Sequence, residues 1–205
     1  MKPENKHSKI ISAATKVFAK KGFFTARISD IAKEAKVADG TIYLYFDNKY
    51  DILLSVFEEE VGKIVGKTAK LLGSETDPIE KLRIFVNQHF LAMKKNKNLA
   101  EVIQIELRQP NKIIKEYRNG KFNEYTEIIG SIISEGQDSG IFSDSIKPEI
   151  AKRALFGTLD EVSRLWNASL ETHYTVEEIT NQVLAIYLKG IRTRNATQNK
   201  EDIPT

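Results

Sequence analysis

The 205-residue sequence predicts an all-α protein in two parts: an N-terminal three-helix domain of helix-turn-helix type and a larger C-terminal helical domain. Three observations lead there. Apolar residues recur at the spacing of one helix face along most of the chain, with no convincing period-two strand between them. Gly, Pro and Asn stand where helices must stop or start. The stretch VADGTIYLYFDNKYDIL, residues 37–53, reads as the second half of a helix-turn-helix followed by a fresh helix start.

Each element has a local reason. Ile10, Ala14, Val17 and Phe18 share one face of the first helix, with Lys9, Lys16 and Lys20 interleaved, and Gly22 stands at its C′ stop. Ser29 is the expected N-cap of a short second helix that turns Ile31, Ala32 and Ala35 inward. Val37 and Ala38 form the turn. Asp39 or Gly40 opens the third helix, expected to end near Phe46. Asn48 caps the fourth, with Asp51 in the capping-box position. Its apolar residues run from Ile52 and Leu53 through Val56, Phe57, Val61, Ile64 and Val65 to about Leu72, where GSETDP breaks it. Further helices are predicted over 77–96, 98–109, 111–138, 147–169 and 175–191. From Arg192 the chain is polar, without apolar periodicity, and is expected to lack fixed structure. The domains are therefore placed at 1–50 and 51–191, with a tail over 192–205.

Composition narrows the function classes. With no cysteine, disulfides and thiolate metal sites are excluded. No apolar run approaches the ~20 residues of a membrane span, and MKPENKHSK is not followed by a hydrophobic signal region. A soluble, cytoplasmic protein is expected. Residues 1–50 hold 10 Lys or Arg against 5 Asp or Glu, so the positive excess lies on the helix-turn-helix segment, where phosphate neutralisation needs it.

At 100° per residue, Ile42 and Phe46 share the inward face of the third helix, while Gly40, Thr41 and Leu44 point outward, flanked by Tyr43 and Tyr45. That outward face can meet base edges, with the tyrosine hydroxyls reaching phosphates. Lys36 and Lys49 stand before and after the helix, where phosphate contacts are expected. Ser29, at a helix N-terminus, can offer its hydroxyl and N–H groups to another phosphate. No Arg, Asn or Gln, the usual base readers, lies between Val37 and Phe46. Leu44 can touch a thymine methyl and Thr41 can donate to a base, so part of the sequence choice falls to DNA shape.

The first helix ending at Lys21-Gly22-Phe23, then ISDIAKEAKVADGTIYLYF, then NKYDIL resemble the TetR family of bacterial one-component regulators. That resemblance implies an all-α homodimer with a DNA-binding domain and a larger ligand-binding and dimerisation domain. It also implies phosphate contacts from Ser29, Thr41, Tyr43, Tyr45 and Lys49, and places Lys36, Ala38, Asp39, Gly40 and Leu44 nearest the bases. A narrower resemblance adds IQIELRQ at 103–109 and FGTLDEVSRLW at 156–166. Together with the N-terminal stretch, they look like the fatty-acid-degradation repressors of bacilli, a branch of that family. That branch implies relief of repression by long-chain acyl-CoA, with no cofactor. The long polar C-terminal tail departs from its pattern.

A chamber for an acyl chain needs apolar lining, and each buried methylene is worth ~0.8 kcal/mol. The candidates are Phe85, Phe90, Met93, Ile103, Leu107, Phe156, Leu159, Val162 and Trp166. The same stripe describes plain core equally well. Arg108 is the first candidate for the phosphates of the coenzyme A head, with Lys94, Lys95, Lys97, Lys112, Lys115 and Arg118 as a wider basic reserve. Gln104, Glu106 and Asp160, polar on apolar helices, either bond one another or face the ligand.

For the dimer, Ala151, Ala154, Leu155 and Gly157 on helix 147–169 and Val176, Ile179, Val183, Ile186 and Tyr187 on helix 175–191 suit a two-fold four-helix bundle. Two-fold symmetry implies a pseudo-palindromic operator of double-stranded DNA. An enzyme is the rival class. His7, His89 and His173 lie far apart and in no motif, and HEXXH, P-loop and GXSXG signatures are absent. His89, on an apolar helix, is expected to be a satisfied core or pocket histidine. Within the regulators the alternative is a repressor of a multidrug efflux gene that senses a hydrophobic drug or cation, for which Glu106, Asp160 and Trp166 have the right chemistry.

Overall fold

A computed structural model of the chain describes residues 6–106, 120–167 and 174–193, the side chains of 106 and 165–167 excepted. The described elements are α1 Lys6–Lys21, α2 Ile28–Ala35, α3 Asp39–Ile42, α4 Lys49–Leu72, α5 Pro78–Lys95, α6 Lys97–Glu106, α7 Lys121–Asp138, α8 Pro148–Asn167 and α9 Val176–Ile191. Among the described residues all are helices, and a single β-bridge joins Phe142 to Arg192. The predicted helices over 98–109, 111–138 and 147–169 are thus present wherever they are described. Residues 107–119 and 194–205, including most of the tail, lie outside the described residues.

The N-terminal unit closes on a small core. Ile10, Ala14 and Phe18 of α1, Ile31 and Ala32 of α2, Ile42 of α3 and Phe46 after it are buried together. Gly22 ends α1 at φ 73°, a region costly for residues with a Cβ, and its N–H returns to the Phe18 carbonyl at 2.8 Å. Lys36 ends α2 at φ 56°, the only described non-glycine residue with positive φ.

Three sequence expectations change here. The second helix begins at Ile28 with Arg27 as N-cap, so Ser29 sits inside the first turn. The Asp30 carboxylate takes the Arg27 N–H at 3.0 Å and draws that residue into the helix start. The third helix has regular α geometry only to Ile42. Beyond it, Leu44 and Tyr45 bond back three residues, to Thr41 and Ile42, because β-branched and aromatic side chains crowd a helical turn. Asn48 does cap α4, its Oδ1 accepting from the Tyr50 and Asp51 N–H groups at 2.9 and 3.1 Å. The Asp51 carboxylate, however, takes the Asp47 N–H at 3.0 Å rather than that of the cap residue.

α4 runs without a break from the N-terminal unit into the C-terminal domain, where it packs on α5 and α7. The predicted boundary at 50/51 therefore falls near the start of one continuous helix. α5 begins on the Asp77 cap, which accepts from the Ile79 N–H at 2.9 Å, with Pro78 in the first turn. α5 is the centre of the larger domain and touches α4, α6, α7, α8 and α9. At the far end of α7, a Cβ on Gly136 would lie 2.0 Å from the Phe142 ring, so only glycine lets that turn pack. α6 packs on both α8 and α1, a second connection between the two parts.

Candidate nucleic-acid interface and ligand domain

The third helix presents the two faces its sequence predicts. Ile42 and Phe46 are buried, while Leu44 is 80% exposed, Tyr43 58% and Tyr45 40%. Thr41 is half-buried, and Ala38, Asp39 and Gly40 are exposed at the helix start. A Cβ at Gly40 would meet nothing within 4 Å, so a base or phosphate can approach the backbone there. Tyr43, Leu44 and Tyr45 are open side by side, and a contiguous apolar patch of that kind marks a contact surface. Ser29 is exposed in the first turn of α2, where helix N–H groups lack intrahelical partners and can meet an anion. Lys36 is exposed in the turn.

Lys49 has a second task. Its Nζ donates to the Phe24 and Ala26 carbonyls at 3.1 and 2.8 Å and lies 4.7 Å from the Phe23 ring centroid. The first residue of α4 therefore ties down the loop between α1 and α2. His7 also joins elements. Its ring stacks on Phe46 with centroids 4.9 Å apart, and its Nδ1 lies 3.1 Å from Glu59 Oε1 on α4. Spacing gave no sign of either link, because both are long-range.

In the larger domain Phe85, Phe90, Met93, Ile103 and Leu159 are buried on α5, α6 and α8 around a common interior, and Phe156 and Val162 are half-buried. Gln104 and Asp160 are buried as well, and Gln104 Nε2 donates to the Asp160 backbone carbonyl at 3.3 Å. The polar pair is therefore side chain to backbone and links α6 to α8. Leu107 and Arg108 lie outside the described residues, as do the side chains of Glu106 and Trp166 and the basic residues Lys112, Lys115 and Arg118.

At the centre stands a polar group that the sequence did not assemble. His89 Nδ1 is 2.9 Å from the Tyr125 hydroxyl and Nε2 is 3.1 Å from Ser163 Oγ. The three residues come from α5, α7 and α8. Burial holds the imidazole neutral and lowers its pKa to about 4, and the Leu159 backbone carbonyl, accepting from the ring, opposes that shift. Each ring nitrogen thus meets a hydroxyl, and because a hydroxyl can donate or accept, either neutral tautomer is satisfied. Burial raises the Tyr125 pKa, which keeps that hydroxyl protonated. His89 is the satisfied interior histidine its sequence setting predicts.

The expected dimer stripe divides. Ala151, Leu155 and Val183 are buried within the chain itself, and the Tyr187 hydroxyl donates to the Ala151 carbonyl at 2.9 Å. Val176 and Ile179 are half-buried against the same core. The Tyr187 bond joins α8 to α9 of one chain, and α9 also packs on α5, because the face that meets its own domain needs apolar residues too. Ala154 and Gly157 are exposed, with Ile150 at 63% on the same face of α8 and Ile186 at 73% on α9.

Comparison with known proteins follows these two parts. The family described as bacterial regulatory proteins, tetR family, matches residues 10–56, and the C-terminal region of YsiA-like proteins matches residues 57–190. The fatty acid metabolism regulator protein of Bacillus subtilis is 36% identical over 189 residues, which are 92% of this chain and 97% of that protein. The crystal structure of the transcriptional regulator FadR from Bacillus subtilis in complex with stearoyl-CoA superposes with a TM-score of 0.82 at 36% identity, covering 90% of this chain and 99% of that one. The fatty acid degradation regulator FadR from Bacillus halodurans gives a TM-score of 0.83 at 39% identity, covering 95% and 100%.

Proposed function

This chain belongs to the TetR family of regulators, and from that premise we propose that it represses fatty acid metabolism genes and leaves its operator on binding long-chain acyl-CoA. It is a DNA-binding regulator, not an enzyme. The observation that carries the effector reading is the near-full-length match to a regulator whose structure holds stearoyl-CoA.

The geometry supports a mechanism. The exposed face of α3 and of the turn after it, with Thr41, Tyr43, Leu44 and Tyr45, enters the major groove; Ser29, Lys36 and Lys49 meet phosphates on either side. The chain pairs through the open stripe of Ile150, Ala154 and Gly157 with Ile186, giving a two-fold dimer on a pseudo-palindromic operator. A Cβ on Gly157 would meet nothing within 4 Å, which leaves room for a close helix approach. The acyl chain fills the interior walled by Phe85, Phe90, Met93, Ile103, Phe156, Leu159 and Val162, with Gln104 and Asp160 as its polar edge; from the sequence alone, Leu107 and Trp166 are further candidates for the chain and Arg108 for the coenzyme A phosphates.

Ligand must favour a conformation that binds DNA less well, or no release follows. Two connections carry that preference outward: α6, which bears Ile103 and Gln104 and packs on α1, and the unbroken α4. A shift in either changes the separation of the two α3 helices from one DNA turn, ~34–36 Å, or a multiple of it.

The test is fluorescence anisotropy of the purified protein on the DNA upstream of its own gene. Tight binding released by micromolar stearoyl-CoA, but not by free coenzyme A, is the expected result. Binding indifferent to stearoyl-CoA removes the effector and keeps the regulator.

A further inference from the structure

We propose that Arg27 is a sequence-reading residue: its guanidinium recognises a base edge, guanine fitting it best, beside the bases met by α3. This rests on the DNA-binding part of the reading above and not on the effector.

The exposed face of α3 and of the turn after it carries Gly40, Thr41, Tyr43, Leu44 and Tyr45, none of them an Arg, Asn or Gln. Lys36 and Asp39 beside it can each bond a base edge, but the planar fork that sets two parallel bonds on one base must come from another element. In a helix-turn-helix the first helix crosses the DNA backbone beside the groove that the second occupies. The structure starts that first helix at Ile28, which makes Arg27 its exposed N-cap, in extended conformation at φ −108° and ψ 154°. A side chain leaving from there stands at the lip of the groove.

Helix stability does not explain an arginine at this place. The position favours Ser, Thr, Asp or Asn, whose oxygens accept first-turn N–H groups, and a guanidinium has no acceptor. Only the reverse bond of a capping box remains, from the Arg27 N–H to Asp30. Nor does an ion pair explain it. Asp30, whose charge bears on Arg27, is bonded by Lys21 Nζ at 2.6 Å. Among the described residues no hydrogen bond or ion pair holds the guanidinium.

The backbone that carries it is fixed. Lys49 Nζ grips the carbonyls on both sides of Thr25, those of Phe24 and Ala26, and so joins the loop before Arg27 to the first residue of α4. The side chain thus starts from a defined place relative to α3. On the DNA-binding reading above, the first-turn N–H groups and the exposed Ser29 hydroxyl serve the phosphate nearest α2. The planar fork of Arg27 is left for O6 and N7 of a guanine, which it matches with two parallel bonds.

The test is selection of bound duplexes from a randomised library by the full-length wild type, Arg27→Ala, Arg27→Lys and Arg27→Ser. Serine restores a helix cap, so it separates lost reading from lost folding. The wild type should prefer guanine at one position in each half-site. Arg27→Ala and Arg27→Ser should lower that preference at least about fivefold and leave the other positions as they were. Arg27→Lys keeps the charge and loses the fork, so the preference should fall there too. If instead the variants bind all sequences more weakly by the same factor, with the salt slope reduced by about one per subunit, Arg27 is a phosphate contact and the proposal is wrong. An unchanged selected sequence also overturns it. A wild type that selects no sequence overturns the DNA-binding reading itself.

Discussion

The two parts of this molecule differ in what they do with tyrosine, although both bury phenylalanine: Phe18, Phe23 and Phe46 in the first, Phe85 and Phe90 in the second. In the N-terminal unit Tyr43 and Tyr45 are turned out, held on the short segment after a buried Ile42. In the C-terminal domain Phe85, Phe90 and Tyr125 are turned in, around a buried His89. A recognition surface must leave its working groups in water, so the exposure of Tyr43, Leu44 and Tyr45, types the core also uses, is what sets them apart. An apolar chamber is built from the residues that also make a core, so burial alone does not tell ligand wall from packing. Substitutions in the first part should change DNA affinity at constant stability. Substitutions in the second should change stability first.

The largest expected effect tests that division directly. Phe85→Ala, at a fully buried position on the central helix, should cost about 3–5 kcal/mol. Chemical denaturation reads it. A loss under about 1 kcal/mol would mean that the phenyl ring faces a cavity instead of packed atoms.

Next comes His89. Replacing it with Leu leaves the Tyr125 hydroxyl buried without its His89 partner and should cost about 1–3 kcal/mol. The pH dependence carries a sign. Because burial lowers the folded pKa to about 4, below the ordinary imidazole value, the unfolded chain binds the proton more readily. The neutral-histidine stability is fully present above about pH 6.5 and is lost as pH falls from there toward about 4. Denaturation midpoints of the wild type should drop across that window, and the His89→Leu profile should lack that part of the drop. Parallel profiles would remove His89 as its cause.

Lys36→Gly should sharpen the comparison from the other side. The left-handed backbone at φ 56° costs a lysine roughly 1 kcal/mol that glycine avoids. The variant should melt higher and bind operator less tightly, since its charge is gone. Higher stability with unchanged affinity would show that Lys36 does not touch DNA.

The smallest effect is Tyr45→Phe. Removing one hydroxyl from an exposed ring should weaken operator binding by about 0.5–1.5 kcal/mol and leave Tm unchanged. Anisotropy at two salt concentrations, with a melt as control, measures both.

Much of this was readable in the chain. Helix order, the turn at Val37 and Ala38, the Asn48 cap and the two faces of the third helix depend on neighbours within a few residues, and periodicity and capping chemistry report on those. The start of the second helix was harder. Ser29 is a better cap by type than Arg27, and it took the contact from Asp30 to the Arg27 N–H to move the boundary.

In the dimer stripe, Ala151 and Ile150 are neighbours of similar chemistry, one buried in its own chain and the other open. Hydrophobicity could not separate them, because an apolar face looks the same whether the chain or its partner covers it. The sequence by itself determined the elements and the reading surface, since those follow from short-range patterns. The tertiary structure alone decided three things: that Lys49 grips the loop before Arg27, that His89 meets Tyr125 and Ser163, and which apolar residues stay exposed. The first two join residues 23 to 74 positions apart, and the third depends on how helices pack. Such meetings depend on how the helices fold back on one another and leave no local trace in the chain.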